Sequence, residues 1–256
     1  MAGIQLILTD IDGTLVPAGS HEISERVRDV VVAAESAGIA VVPVTGRPYE
    51  MARSVLTVLG FDGLCIVDGG ASIRDARTGK LIWSYWLDPA TIRTVVRLLA
   101  PACTLIDYDP AQWMRSQHEI DAGAITEPAP YIFAEIHEAA AEGLLAQLQA
   151  MPLLSTHLLP RRTGAAPHTQ ALQVTHMHGN KRHGMQELLR LLAVAPAHTM
   201  AVGDGDNDMP LFEQAALRVA VGNASQGLKA MADHIVASVE DDGFAETVER
   251  FVLTPP

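Results

Sequence analysis

Near its beginning the chain reads Leu6-Ile7-Leu8-Thr9-Asp10-Ile11-Asp12-Gly13-Thr14-Leu15, a short apolar run that breaks into two carboxylates, a glycine and a hydroxyl. A run of this length, rich in Ile and Leu, reads as a strand buried on both faces of a parallel sheet. Open α/β sheets gather their ligands at the carboxyl ends of such strands, which is where these charges fall. Two aspartates at the mouth of a buried strand repel one another unless a cation or a proton is shared there. Gly13 permits a sharp turn, and Thr14 offers a hydroxyl and an N–H to an anion. The competing reading is a strand followed by an ordinary Asp-Gly turn, and this segment alone does not separate the two.

With 256 residues, 48% of them hydrophobic, the chain can bury a substantial core, as one large α/β domain or a core with a smaller partner. The formal net charge of -12 argues against nucleic-acid binding, which needs a basic face. It also means that an anionic substrate needs a metal ion and local cations to reverse the field inside its site. Cys65 and Cys103 lie in apolar settings without metal-ligand spacing and read as buried free thiols. Met1 to Gln5 lacks a basic region followed by an apolar segment, and no apolar run reaches membrane-spanning length. The expectation is a cytoplasmic protein with no membrane partner.

The βαβ rhythm of a parallel sheet runs through the first third. After the first strand, helical spacing from Ile23 to Ala37 stops at Gly38, and Ile39 to Val44 is a second buried strand ending at Thr45-Gly46-Arg47. Pro48 opens a helix that runs from Tyr49 to Leu59 and stops at Gly60. Leu64 to Val67 is a third strand, and Ala71 to Trp86 a hairpin turning at Thr78-Gly79-Lys80. Helices from Pro89 to Leu99 and His137 to Met151 then alternate with apolar runs at Cys103–Ile106, Tyr131–Ile136 and Leu153–Leu158, punctuated by prolines. The core rhythm resumes with a helix from Arg182 to Ala193, a strand at Met200–Val202, and a helix from Met209 to Ala216. A strand at Leu217–Val221, a helix from Gln226 to Ala232, an edge strand at His234–Val236 and a helix from Phe244 to Phe251 complete it. The reading is α/β: a Rossmann-like parallel sheet with helices on both faces (1–86 and 177–256) carrying an inserted α+β cap (87–176). Thr254-Pro255-Pro256 reads as a frayed tail.

Four sites fall at strand ends or helix starts: Asp10/Asp12, Thr45, Lys181, and Gly203-Asp204-Gly205-Asp206-Asn207-Asp208. Mg2+ takes hard oxygen ligands from one or two carboxylates, with waters and substrate phosphate completing its shell, and Asp10, Asp204 and Asp208 can supply them. An EF-hand-like calcium loop is the competing reading of Asp204 to Asp208, but position 12 counted from Asp204 is Ala215 where that loop needs glutamate. His176, His178 and His183 have spacing compatible with zinc, though no cysteine lies nearby and surface or core histidines explain them as well.

In order, the segments Asp10-Ile-Asp-Gly-Thr, Thr45-Gly-Arg, Lys181 and Gly203-Asp-Gly-Asp-Asn-Asp resemble the haloacid dehalogenase-like hydrolases, specifically their Cof-like phosphatase branch. Val221-Gly222-Asn223-Ala224 and Asp241-Asp242-Gly243-Phe244 resemble it too. The resemblance implies a Mg2+-dependent phosphatase acting on a small phosphomonoester such as a sugar phosphate. Asp10 would be the nucleophile that becomes an aspartyl-phosphate, and Asp12 the general acid and then base. Asp10, the backbone carbonyl of Asp12 and Asp204 would hold the metal, with Asp208 bound directly or one step removed. Thr45, Gly46, Lys181 and Asn207 would bind the phosphoryl oxygens. Branches that cleave carbon–halogen bonds lack an acid at the second aspartate and the P-type ATPases carry Thr there, so Asp12 points to a hydrolase with fast turnover.

Two departures stand out. The family usually shows Asn-Gly-Ala where this chain has Gly69-Gly70-Ala71, and often Gly after the motif lysine where this chain has Arg182, read here as facing solvent. In the insert, Arg161-Arg162 reads either as a grip on a charged substrate or as a basic turn. Trp83, Trp86 and Trp113 read as packing between core and insert or as a sugar pocket. The insert is expected to form a lid over the strand ends that excludes water and reads the leaving group. A phosphomutase moving phosphate between two positions of one sugar is the alternative, and a catalytically silent binding or regulatory protein a further one.

Overall fold

A computed structural model of the chain describes residues 3–18, 20–108, 115–116, 123, 125–159 and 165–253. Trp113, Arg161, Arg162 and the tail from Thr254 lie outside the described residues.

The elements follow in chain order as β1 (Leu6–Thr9), α1 (Glu25–Ser36), β2 (Ala40–Pro43), α2 (Tyr49–Leu59), β3 (Leu64–Val67), β4 (Ser72–Asp75) and β5 (Leu81–Ser84). Next come α3 (Pro89–Leu99), β6 (Cys103–Asp107), β7 (Arg115–Ser116), β8 (Ile132–His137), α4 (Glu138–Gln149), β9 (Leu154–Leu159) and β10 (Thr169–His176). The chain continues with α5 (Lys181–Leu192), β11 (Thr199–Gly203), α6 (Met209–Phe212), β12 (Leu217–Ala220), α7 (Gln226–Met231), β13 (His234–Ile235) and α8 (Gly243–Val248). Two compact units result, one from residues 1–82 and 181–256, the other from Trp83–Asn180.

The first unit is built on a five-stranded parallel sheet in the order β13-β12-β11-β1-β2. Leu6, Ile7 and Leu8 are fully buried, as a strand with neighbours on both edges and helices on both faces requires. In register, Leu6 lies opposite Thr199 on one side and Ala40 on the other, so the ends of β1, β2 and β11 stand side by side. Ser24 caps α1 by accepting the Val27 N–H at 3.1 Å. Val27, Val30, Val31 and Ala34 make its buried stripe at helical spacing. Pro48 opens α2 as expected, and Gly60 closes it in the left-handed region at φ 71°.

Three expectations for this unit need amending, the first being the helix opening at Met209, which ends at Phe212 rather than at Ala216. β3 does not extend the parallel sheet by a ladder: it meets Val44, the residue after β2, through one parallel bridge from Ile66, and pairs as the edge of the three-stranded sheet β3-β4-β5. Its antiparallel partner β4 follows after a turn of only four residues, so local pairing captures it. The final helix is also shorter, with Glu249–Leu253 wound as a π-helical turn.

The second unit is a five-stranded antiparallel sheet, β7-β6-β8-β10-β9, with α3 and α4 packed on it. Asp88 caps α3 by accepting the Ala90 and Thr91 N–H groups, and Pro89 takes the first helical position. Its apolar stripe, Ile92, Val95, Val96 and Leu99, joins Ile132 and Leu172 in a separate core. No helix among the described residues is long and apolar enough to cross a membrane.

Candidate active site

The ends of β1 and β11 and the start of α5 converge on one buried group. Asp10 follows β1, and its N–H donates to the Val202 carbonyl at 3.1 Å, fixing it against β11. Lys181 opens α5, and its Nζ donates to Asp10 Oδ1 at 3.0 Å and Asp208 Oδ1 at 2.6 Å. All three are nearly sealed from water, with Asp10 5%, Lys181 4% and Asp208 0% exposed. Asp208 also turns Oδ2 back to accept the Asp204 and Gly205 N–H groups, each at 3.2 Å. It thereby shapes the loop that carries Asp204.

Asp204 reaches the same place from that loop, and Thr14 Oγ1 donates to its Oδ1 at 3.3 Å. The close approach depends on Gly13. With φ 76° and an Asp204 oxygen only 2.3 Å from where a Cβ would sit, no other residue fits without moving the carboxylate. Oxygens of Asp10, Asp204 and Asp208 all lie within 4.8 Å of one another.

The electrostatics follow from that crowding. Burial pushes the Asp10 carboxyl above the ordinary carboxylate range, with Asp208 and Asp204 adding to the shift and Lys181 opposing it. Asp204 is pushed up to about 6, again first by burial and then by Asp208. Burial alone would lower the Lys181 ammonium, but Asp10 and Asp208 outweigh it and the net shift is upward. The cluster is short of positive charge.

The Asp12 carboxylate is held by Arg47. Its two oxygens accept a fork from Arg47, Nε to Oδ2 at 2.7 Å and Nη2 to Oδ1 at 2.6 Å. Arg47 is 8% exposed and also donates from Nη2 to the Ser20 carbonyl at 2.9 Å, while its N–H donates to Thr45 Oγ1 at 3.1 Å. His21 Nδ1 lies 3.4 Å from Arg47 Nη1 and 2.8 Å from Ser54 Oγ. The sequence reading named Arg47 only as part of a motif. The signal available was charge: a second aspartate on the same loop needs its own counter-ion, and this is the arginine at the end of the adjacent strand.

The Thr45-Gly46-Arg47 loop is held from behind. Asp68 N–H donates to the Arg47 carbonyl at 2.9 Å and Gly69 N–H to the Thr45 carbonyl at 3.3 Å. Asp68 itself is 2% exposed at φ 58°, its Oδ2 has no hydrogen-bond partner among the described residues, and burial raises its pKa.

Asn207 is exposed on the Asp206–Asp208 turn. Arg182 is half-buried and paired with Glu213. In the second unit, the His176 and His178 rings lie 5.4 Å apart and pack on Tyr85, which also meets Trp83. Among the described residues, the group of three or more metal-ligating side chains is the carboxylate trio, not a histidine set.

A family model described as haloacid dehalogenase-like hydrolase matches residues 7–130 and 145–248. A phosphoglycolate phosphatase of Saccharolobus solfataricus is 27% identical over 252 residues, spanning 97% of this chain and 96% of its own. Among solved structures, a phosphatase of the haloalkanoate enzyme superfamily from Bacteroides thetaiotaomicron superposes with a TM-score of 0.80 at 21% identity, covering 98% of this chain and 96% of that one. A subclass IIB sugar phosphatase, BT4131, does so with a TM-score of 0.77 at 20% identity, covering 98% and 100%. With the family model matching most of its length, the chain belongs to the haloacid dehalogenase-like hydrolases.

Proposed function

We propose that this protein is a Mg2+-dependent phosphatase that hydrolyses a small phosphomonoester through an aspartyl-phosphate on Asp10. The observation that carries the reading is the charge of the buried group. Three carboxylates against one ammonium leave two formal negative charges among hard oxygen donors, which suits a small divalent cation. Asp10, Asp204 and the Asp12 carbonyl would hold it, while Asp208, engaged by Lys181 and two N–H groups, keeps those ligands in place. When bound, Mg2+ would neutralise charge on the phosphoryl oxygens and reduce their repulsion of Asp10.

Asp10 attacks phosphorus, the bond to the alcohol oxygen breaks, and Asp12 protonates the departing alkoxide. Water then attacks the aspartyl-phosphate, Asp12 takes its proton, and phosphate leaves with Asp10 restored. The Arg47 fork aims Asp12 during both steps. Lys181, the Thr45 hydroxyl, the Gly46 N–H and Asn207 are assigned to the transferring oxygens. Recognition of the non-reacting part of the substrate is assigned to the 83–180 unit. The relatives named as a phosphoglycolate phosphatase and a sugar phosphatase support a small phosphorylated acid or sugar as substrate.

The test is phosphate release from a panel of phosphoglycolate, sugar phosphates, polyol phosphates and nucleotides, with Mg2+ and with chelator. Mg2+-dependent release by the wild-type chain, lost in a folded Asp10→Asn variant, is expected. Undiminished release by Asp10→Asn would refute the covalent route. Label moving between positions of a bisphosphorylated sugar, without release to water, would make the protein a mutase instead.

A further inference from the structure

The loop after β12 is stitched to both carboxylate-bearing loops. Because β12 lies beside β11 and β11 beside β1, three neighbouring strand ends bring residues 221–225 alongside Asp204 and within reach of Gly13. Ser225 donates its N–H to the Asp204 carbonyl at 2.8 Å. Asn223 reaches one strand further: its Nδ2 donates to the Gly13 carbonyl at 2.8 Å, and its Oδ1 accepts the Val239 N–H at 2.9 Å. The residue is exposed, yet both ends of its amide are engaged. Its own loop is fixed in turn, the Gly222 N–H donating to the Ala237 carbonyl at 2.9 Å and Lys229 Nζ to the Gly222 carbonyl at 2.6 Å. The amide therefore braces the Asp10–Thr14 turn against a rigid support.

We infer that Asn223 is a positioning residue for the metal, holding the Asp10–Thr14 turn at a set distance from Asp204 through the Gly13 carbonyl. Gly13 packs on the Asp204 carboxylate and Thr14 donates to it, so movement of Gly13 shifts ligand oxygens relative to one another. Mg2+ demands near-octahedral geometry at short distances and tolerates such shifts poorly. The inference rests on reading the carboxylate trio as a Mg2+ site.

Mg2+ alone, titrated calorimetrically into substrate-free wild type, Asn223→Ala and Asn223→Asp, tests it, with thermal midpoints in chelator reporting folding. Asn223→Ala is expected to weaken Mg2+ binding about tenfold, as loss of a partner behind the ligands does. The Mg2+ concentration for half-maximal phosphate release should rise by the same factor, with turnover restored at saturating Mg2+. Asn223→Asp keeps the acceptor for Val239, loses the donor to Gly13, and adds a charge that by itself favours the cation. Weaker binding there too assigns the effect to the Gly13 arm, and this variant carries the test should the alanine variant fail to fold. Unchanged Mg2+ affinity in folded Asn223→Ala overturns the inference and leaves the metal site standing, as does lost turnover that saturating Mg2+ does not restore. A wild-type chain that binds no Mg2+ overturns both.

Discussion

Lys181→Met asks whether one buried ammonium is what allows two carboxylates to be sealed inside this fold. Methionine keeps an unbranched apolar stem, so packing changes little. The cation 3.0 Å from Asp10 and 2.6 Å from Asp208 is lost, and at 5% and 0% exposure water cannot take its place. Removing one partner of a buried pair costs about 3–5 kcal/mol. At roughly 2–4 °C per kcal/mol for a chain of this size, the unfolding midpoint should fall by about 6–20 °C in chelator near neutral pH. The pH dependence has a definite sign. Asp10 titrates above its unfolded value of 3.8 because of burial and then Asp208, and losing Lys181 removes the main opposing influence. A carboxyl with a raised folded pKa costs stability as pH climbs from the unfolded value to the folded one, so the deficit should shrink on acidification. Mg2+ should raise the variant's midpoint more than that of the wild type, since it returns positive charge to the same group. Thermal unfolding followed by circular dichroism at several pH values, with and without Mg2+, is the measurement. A midpoint within about 2 °C of wild type near pH 7, a shift under ~1 kcal/mol, would refute the reasoning. A deficit that fails to narrow at lower pH would refute it equally.

Arg47→Ala should cut turnover on an alkyl phosphate by about 10²–10⁴-fold, because Asp12 loses its fork, but far less on p-nitrophenyl phosphate, whose leaving group needs little protonation; equal losses would count against it. Arg47→Lys should recover only part, since a point charge cannot replace the two parallel bonds. Asp68→Asn, whose residue also accepts a positive φ, should gain stability relative to wild type as pH rises, because the buried wild-type carboxyl has a raised pKa and must ionise there. A difference flat with pH in chemical denaturation would contradict this. Burial pushes Cys65 up to about 12 and Cys103 up to about 11, so neither thiol should react with a thiol-specific dye in the native chain at mildly alkaline pH, and both should react on unfolding.

Much of this was legible in the residues because punctuation and charge are local signals. Pro48 and Gly60 marked α2 to the residue, and the helical run from Pro89 to Leu99 marked α3. The run from Leu6 to Thr9 announced a strand buried on both faces of a parallel sheet. β10 escaped the list of apolar runs because Thr169-Gln170-Ala171-Leu172-Gln173-Val174-Thr175-His176 mixes amides and hydroxyls, though most of it is buried. The demotion of β3 was not readable, since which neighbour wins a four-residue strand depends on tertiary pairing rather than composition. At the site, the carboxylates declared themselves but their partners did not. Whether Arg47 meets Asp12, and whether Asp208 clasps Lys181, depends on side-chain direction across strands that sequence spacing does not encode.

The order of the parallel sheet also decides when, during synthesis, that sheet can close. β1 is made first, yet one of its two edges is completed by β11, Leu6 waiting for Thr199. Between them the ribosome must deliver the whole of 83–180, which carries its own sheet and its own apolar core. That segment can condense while the first strand still presents an unsatisfied edge, and closing so long a loop is entropically slow. For most of its elongation the nascent chain therefore holds Leu6-Ile7-Leu8 with the β11 edge unpaired, a stretch of backbone exposed to mispairing until Thr199 to Val202 emerge.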